Sequence, residues 1–249
     1  GWRVYGLSRR PSDQAGVIPV AADLLDREAT AEALAGLPIT HVFYCTWVRR
    51  ENEKANVEAN GAMMHNLLDA LQGASLAHVS LVTGTKQYLG AFENYGSGKT
   101  ETPFRESAPR VPGENFYYTL EDIMFAKAGR DGFSWNVHRP HTVIGYARGN
   151  AMNMGVTLAV YASICKATGK PFTFPGSQVQ WNALTDLTDS LVLARQMEWA
   201  ATTPGAHNEA FNTVNGDVFR WRRLWHEIGE FFELEVADCP ETPQPLETS

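Results

Sequence analysis

Short apolar segments alternate with helix-forming segments over the first 140 residues of this chain. Strands with uninterrupted apolar residues are typical of a sheet that is covered on both faces. Strands that alternate with helices form βαβ units and a parallel sheet. We therefore predict a Rossmann-like, doubly wound α/β fold. The predicted strands are residues 4–7, 17–22, 41–45, 79–83 and 135–138, and the predicted helices are residues 27–35, 51–71 and 117–128.

The remainder of the chain has a different pattern. Beyond residue 145, helical spacing of apolar residues dominates, with predicted helices at 154–168, 187–201 and 221–232 and a late strand at 211–214. We predict that residues 1–145 form a dinucleotide-binding domain. Residues 146–249 would form a mainly helical substrate-binding region that is interleaved with the sheet. Both ends read as truncated, because the chain begins inside a predicted strand and stops just after a predicted helix.

Composition argues against several classes of function. The net charge of −7 does not fit a nucleic-acid-binding surface or a polybasic membrane anchor. No apolar run reaches the roughly 18 residues of a transmembrane helix. The three cysteines are widely spaced and odd in number, so they form neither a disulfide framework nor a metal knuckle. We expect a cytoplasmic protein without a bound metal.

Two short segments carry the chemistry. TGTKQYLG at 83–90 places Lys86 just after an apolar strand, and NFYYTLED at 115–122 places Tyr117 and Tyr118 at the start of a predicted helix. An ammonium close to a phenol favours the phenolate and lowers the tyrosine pKa from about 10. Such a tyrosine can hydrogen-bond or protonate an oxygen that gains negative charge. The alternative is a helix-capping lysine and a core tyrosine without a catalytic role.

These two segments resemble the signature motifs of the progesterone 5β-reductase/iridoid synthase-like (PRISE) enzymes, a branch of the short-chain dehydrogenases/reductases. Shorter similar stretches occur in the same order along the chain, at 4–11, 57–63, 137–140, 160–166 and 208–212. The resemblance implies NADPH-dependent reduction of the C=C bond of α,β-unsaturated carbonyl compounds. It also implies that Lys86 and Tyr117 are the catalytic pair. Tyr118 stays open as the alternative tyrosine.

The cofactor signals are incomplete. Neither GxGxxG nor GxxGxxG occurs in the chain, so we interpret residues 2–7 as the second strand of the sheet, with the glycine-rich turn before Gly1. The turn after that strand carries Ser8, Arg9 and Arg10. Two arginines at this position suit the 2′-phosphate of NADPH or NADP+, whereas an acidic residue would favour NAD.

Further cofactor positions follow the next strands. Asp23 and Leu24 would meet the adenine, and Thr46 ends the third strand, where the carboxyl edge of a sheet faces the cofactor. The resemblance adds Val82, Val143, Ala151 and Met152 to the cofactor groove. The pocket for an apolar enone substrate would be lined by Trp47 and Phe92, which match pocket positions of the family, and by Tyr118. A homodimer is implied by analogy only.

Two other sequence patterns compete with this interpretation. Tyr95 and Lys99 have the YxxxK spacing of classical short-chain dehydrogenases, but two glycines separate them and a rigid helix is not expected there. GSGKT at 96–100 lacks the first glycine of a phosphate loop, because position 93 is Glu93. The functional alternatives are another extended dehydrogenase or epimerase activity, or a non-catalytic NADP-binding sensor.

Overall fold

The computed structural model of the protein describes residues 1–92, 102–147 and 153–242. Its strands are β1 Val4–Ser8, β2 Val17–Ala21, β3 His41–Tyr44, β4 His78–Val82, β5 Ser134–Pro140, β6 Val143–Ile144, β7 Leu184–Thr185, β8 Thr188–Asp189, β9 Glu209–Thr213 and β10 Phe219–Arg220. Its helices are α1 Arg27–Leu34, α2 Glu53–Ala70, α3 Lys86–Leu89, α4 Phe116–Asp131, α5 Met154–Thr168, α6 Gln178–Asn182, α7 Ser190–Thr202 and α8 Trp221–Phe232.

Parallel strands form the centre of the first part of the chain. β3, β4, β5 and β9 make one sheet in that order, and β1 pairs with β2 in another. The pairs β1–β2, β3–β4 and β4–β5 are all parallel. This confirms the predicted parallel sheet, in which the carboxyl ends of paired strands share one edge.

A cleft of about 490 Å³ is lined by residues of both β1 and β3. In a doubly wound sheet the strands follow the order 3-2-1-4-5-6. β2 and β1 on one side of the cleft, and β3, β4 and β5 on the other, match this order with the central strand left out. No strand of the described residues lies at that position, and the interpretation of β1 as the second strand of the sheet stays a prediction.

The main core lies between the sheet and helices α2 and α4. Val79 and Leu81 of β4 have no exposed surface, and Met64 of α2 and Met124 of α4 are equally buried. The two helices approach closely because α2 carries a glycine at the contact: a Cβ on Gly61 would lie 3.2 Å from Cγ2 of Thr119. Helix α4 is therefore held firmly against α2 along its length, and its first turn has a defined position.

Packing divides the chain into two compact units. One contains residues 1–139 and 197–212, and the other contains residues 140–196 and 213–249. The second unit has an aromatic core in which the rings of Phe172 and Trp225 stack at 4.1 Å. Trp225 is buried whereas Arg222 and Arg223 are exposed, so α8 presents Trp225 to the core and these two arginines to solvent.

The described helices include none that combines the length and the apolar character needed to cross a bilayer.

Candidate active site

Lys86 begins helix α3, four residues after Val82, the last residue of β4. Its side chain is only 2% exposed, and its ammonium nitrogen lies 2.6 Å from Oε1 of Glu53 and 3.0 Å from Oδ1 of Asn115. The side-chain amide of Asn115 donates in return to the carbonyl oxygen of Lys86 at 3.1 Å. The lysine is therefore fixed at both its backbone and its charged end.

Tyr117 lies in the first turn of α4. Asn115 is the N-cap of this helix, and its Oδ1 accepts a hydrogen bond of 3.1 Å from the backbone N–H of Tyr117. The Tyr117 ring is half-buried and packs edge-on against Phe116, with ring centres 4.5 Å apart. The ammonium nitrogen of Lys86 lies 5.8 Å from the centre of the Tyr117 ring. The structure thus brings the two predicted catalytic side chains together, while their roles stay predictions.

Tyr118 has different surroundings from its neighbour. Its ring is buried, and its hydroxyl donates to the carbonyl oxygen of Gln87 at 2.6 Å and accepts from the backbone N–H of Val111 at 3.1 Å. The guanidinium of Arg110 lies over the same ring at 4.7 Å. These contacts occupy the hydroxyl with backbone partners, which favours Tyr117 as the reactive tyrosine. The predicted substrate contact of Tyr118 stays a prediction.

Aromatic side chains surround the lysine. The ring of Trp47 stacks on that of Phe116 at 5.5 Å and lies 6.1 Å from that of Phe92. The Lys86 ammonium is 5.2 Å from the centre of the Phe92 ring and 5.0 Å from that of Phe116. The two predicted substrate residues Trp47 and Phe92 therefore lie in the same cluster as the lysine.

The residues predicted for the adenosine end of a cofactor follow β1 and β2. Ser8 is the last residue of β1, and Arg9 and Arg10 are exposed in the turn after it. The carboxylate of Asp23 accepts a hydrogen bond from the backbone N–H of Leu25 at 3.0 Å. Leu24 is buried in the core. The arginine pair is thus free of core packing and accessible to an anion.

The other predicted cofactor residues are distributed over both units. Thr46 is exposed just beyond β3, and Val82 is the last residue of β4. Val143 is half-exposed in β6 of the second unit. Ala151 and Met152 lie outside the described residues, and so do the competing pattern of Tyr95 and Lys99 and the segment 96–100.

Two functional candidates were not predicted from the sequence. Glu53 is buried with its carboxylate against Lys86, and Asn115 contacts Lys86 while capping α4. Asn115 begins the segment NFYYTLED, just before a predicted helix, and asparagine is a preferred N-cap residue, so the sequence did indicate its capping role. The sequence did not indicate the contact of Glu53 with Lys86, because a glutamate in the first turn of a helix is ordinarily solvent-exposed.

A family model described as a PRISE-like Rossmann-fold domain matches residues 17–249. The chain belongs to this PRISE-like Rossmann-fold family. The resemblance inferred from the two motifs is thereby confirmed.

Relatives of this PRISE-like chain include two plant enzymes. It is 41% identical to (S)-8-oxocitronellyl enol synthase of Nepeta cataria over 98% of its own length and 65% of that protein. It is 43% identical to 3-oxo-Δ(4,5)-steroid 5β-reductase of Arabidopsis thaliana over 94% of its own length and 62% of that protein. The chain therefore spans a little under two thirds of the length of these relatives.

A solved structure confirms the fold class. A short-chain dehydrogenase/reductase superfamily protein from Agrobacterium tumefaciens, determined with bound NAD, superposes with a TM-score of 0.72 at 16% identity. The match covers 95% of the PRISE-like chain and 78% of that protein. At this identity the likeness establishes the Rossmann fold, as predicted from the strand and helix pattern.

Proposed function

We propose that this protein is an NADPH-dependent reductase of the C=C bond of α,β-unsaturated carbonyl compounds. The observation that carries the proposal is the approach of the Lys86 ammonium to within 5.8 Å of the Tyr117 ring centre, inside an aromatic cluster. The names of the two relatives support it. One acts on a steroid whose 3-oxo group is conjugated to a double bond, and the other forms an enol, the protonated form of the enolate expected here.

The residues after β1 fit the 2′-phosphate end of NADPH. Arg9 and Arg10 are both exposed, and neither forms an ion pair among the described residues. Guanidinium groups bind phosphate through charge-assisted hydrogen bonds. When bound, NADPH supplies the hydride for the β-carbon of the substrate. The chain contains no glycine-rich turn of the usual pattern for the pyrophosphate, so these arginines would provide binding at the adenosine end only.

The protein's own groups act on the carbonyl oxygen. As the β-carbon is reduced, negative charge develops on that oxygen, and the Tyr117 hydroxyl donates a hydrogen bond to it. The Lys86 ammonium makes the phenol a stronger donor, because positive charge nearby favours loss of the phenolic proton. The aromatic rings of Trp47, Phe92 and Phe116 lower the local dielectric constant, which strengthens these electrostatic interactions. The enolate then takes up a proton at the α-carbon from water.

The substrate is proposed as an apolar enone, since the walls beside the lysine are aromatic. A cytosolic location is proposed as well, because all three cysteines are free. The test pairs NADPH with 2-cyclohexenone and, separately, with cyclohexanone, and identifies the products by mass spectrometry. Formation of cyclohexanone from the enone supports the proposal. Turnover of the saturated ketone alone would overturn it in favour of a ketone reductase.

Cofactor binding needs a separate measurement. The cleft between β1 and β3 matches the position of a central strand in a doubly wound sheet, and the glycine-rich turn of such folds follows that strand. We expect NADPH to bind more tightly when a β-strand and a glycine-rich turn are joined before Gly1. Calorimetric titration of NADPH into the protein with and without this extension tests the expectation. Equal affinities would contradict it.

A further inference from the structure

A buried carboxylate accompanies the proposed catalytic pair. Glu53 begins α2, and its side chain is 7% exposed. Its Oε1 lies 2.6 Å from the Lys86 ammonium and accepts a hydrogen bond of 2.7 Å from the backbone N–H of Phe116, the first residue of α4. One oxygen atom therefore connects the starts of two helices to the lysine between them.

This arrangement determines where the lysine lies relative to the tyrosine. Phe116 directly precedes Tyr117, so the carboxylate that fixes the ammonium also fixes the backbone one residue from the phenol. The N-terminal ends of helices favour negative charge, and Glu53 lies at two of them. Burial of an ion pair requires such additional hydrogen bonds, because both charges lose their hydration.

The charge of Glu53 also acts on the phenol. An uncompensated buried ammonium 5.8 Å from the Tyr117 ring centre would favour the phenolate. A phenolate has no proton to donate to the developing enolate. The negative charge 2.6 Å from the ammonium opposes its field at the ring and so favours the protonated hydroxyl.

We propose that Glu53 is a positioning residue that aligns Lys86 with Tyr117 and, through its charge, raises the pH at which the Tyr117 hydroxyl loses its proton. The proposal rests on the function proposed above, because it assigns the hydroxyl a donor role.

Other charged groups surround the pair. Arg49, before α2, lies 5.2 Å from the centre of the Phe92 ring. Glu121, one turn after Tyr117 on α4, is buried and ion-paired with two arginines, so its charge is compensated. On α2, Lys54 and Glu58 are exposed and opposite in sign. All of these side chains remain when Glu53 alone is changed, so the comparison isolates its charge.

The test replaces Glu53 with glutamine. Glu53→Gln keeps an oxygen that can accept from Lys86 and from Phe116, and it removes the negative charge. The Tyr117 phenol is then expected to ionise at a pH about one unit lower, from the Coulomb interaction at these distances. Ultraviolet difference titration of each protein against the same protein with Tyr117→Phe isolates this phenol without requiring turnover. Glu58→Gln on the same helix is the matched control and should leave the titration unchanged.

Turnover gives a second readout. The alkaline limb of the kcat profile for enone reduction should move to lower pH by the same amount in Glu53→Gln, with little change in KM. A residue with only a structural role would lower kcat at every pH without moving the limb. An unchanged phenol titration in folded Glu53→Gln overturns the positioning proposal. A shifted titration in a protein that does not reduce enones retains the proposal for the phenol and overturns the reductase.

If Glu53→Gln does not fold, Glu53→Asp replaces it. Its carboxylate is one methylene shorter and pairs less closely with the ammonium, so the phenol should still ionise at lower pH, by less than in the glutamine variant. A folded Glu53→Asp protein with the titration and the kcat profile of the parent overturns the proposal.

Discussion

The hydroxyl of Tyr118 donates a hydrogen bond of 2.6 Å to the carbonyl oxygen of Gln87, one residue after the lysine of the proposed catalytic pair. Its neighbour Tyr117 is half-buried with the Lys86 ammonium near its ring. Tyr118 therefore joins α4 to α3, whereas we predict that Tyr117 acts on a ligand.

The first prediction compares phenylalanine at the two positions. Tyr117→Phe should lower kcat by about 100- to 1000-fold, the usual effect of removing one donor to a developing oxyanion. Tyr118→Phe should retain turnover and lose about 1–3 kcal/mol of unfolding free energy, because it leaves buried backbone groups without a partner. Steady-state assays and urea unfolding of both variants separate the effects. The reverse pattern would assign catalysis to Tyr118.

The second prediction concerns the buried ion pair of Lys86 and Glu53. Lys86→Met leaves the carboxylate buried without its counter-charge, which typically costs about 3–5 kcal/mol of unfolding free energy. The double variant Lys86→Met/Glu53→Gln should recover much of that loss, since no charge is then buried, but it should stay inactive. Urea unfolding of the single and double variants gives the coupling between the sites.

Lys54→Met is the control for that experiment. Lys54 is an exposed lysine on the same helix as Glu53, so its replacement should change stability by no more than about 0.5 kcal/mol. A Lys86→Met protein as stable as this control would show that the pair contributes nothing to the fold.

Local sequence patterns predicted the helices and strands that are long enough to show an apolar pattern of their own. The apolar periodicity at 221–232 coincides with α8, and the predicted strand at 4–7 is β1. No element was predicted between the strand at 79–83 and the helix at 117–128, yet α3 lies there. A helix of four residues is too short to show periodicity, so the prediction missed it. The two-residue strands β6 and β8 were not predicted either, because they are defined only by their pairing with each other.

The candidate site shows the same division. Lys86 and Tyr117 were found because each belongs to a motif that is recognisable along the chain. Glu53 and Lys86 lie 33 positions apart in the sequence and come into contact only in the folded protein. No local sequence pattern predicts this contact. The burial of the Glu53 side chain and its distance to the Lys86 ammonium in the folded protein identify it.

The third prediction concerns pH. Burial, together with neighbouring histidines, lowers the pKa of His78 to about 4, and burial beside His78 lowers that of His138 to about 4. An unfolded histidine has a pKa of about 6.5. Between these values the unfolded chain binds more protons than the folded one, so stability falls as the pH drops from about 6.5 to 4. The loss is up to about 3 kcal/mol for each side chain.

Urea unfolding between pH 7 and pH 4.5 measures this effect. His138→Gln should reduce the pH dependence, because one of the two buried imidazoles is gone. His226→Gln serves as the control, since His226 is exposed on α8 and its loss should leave the slope as in the parent. Identical slopes in the parent and in His138→Gln would show that this imidazole does not become protonated on unfolding.

The last prediction concerns cofactor choice. If Arg9 and Arg10 bind the 2′-phosphate, then Arg9→Gln/Arg10→Gln should weaken NADPH binding by about 10- to 100-fold, as expected for the loss of charge-assisted hydrogen bonds. NADH lacks that phosphate, so its affinity should stay the same. The informative quantity is the dissociation constant for NADH divided by that for NADPH, measured by calorimetry at low and high salt. Higher salt should reduce this ratio more in the parent than in the variant. Arg195→Gln, which removes one exposed arginine from α7, controls for the loss of a positive charge elsewhere on the surface. An equal loss of affinity for both nucleotides would place the arginines elsewhere on the cofactor, and no loss for either would remove them from the site.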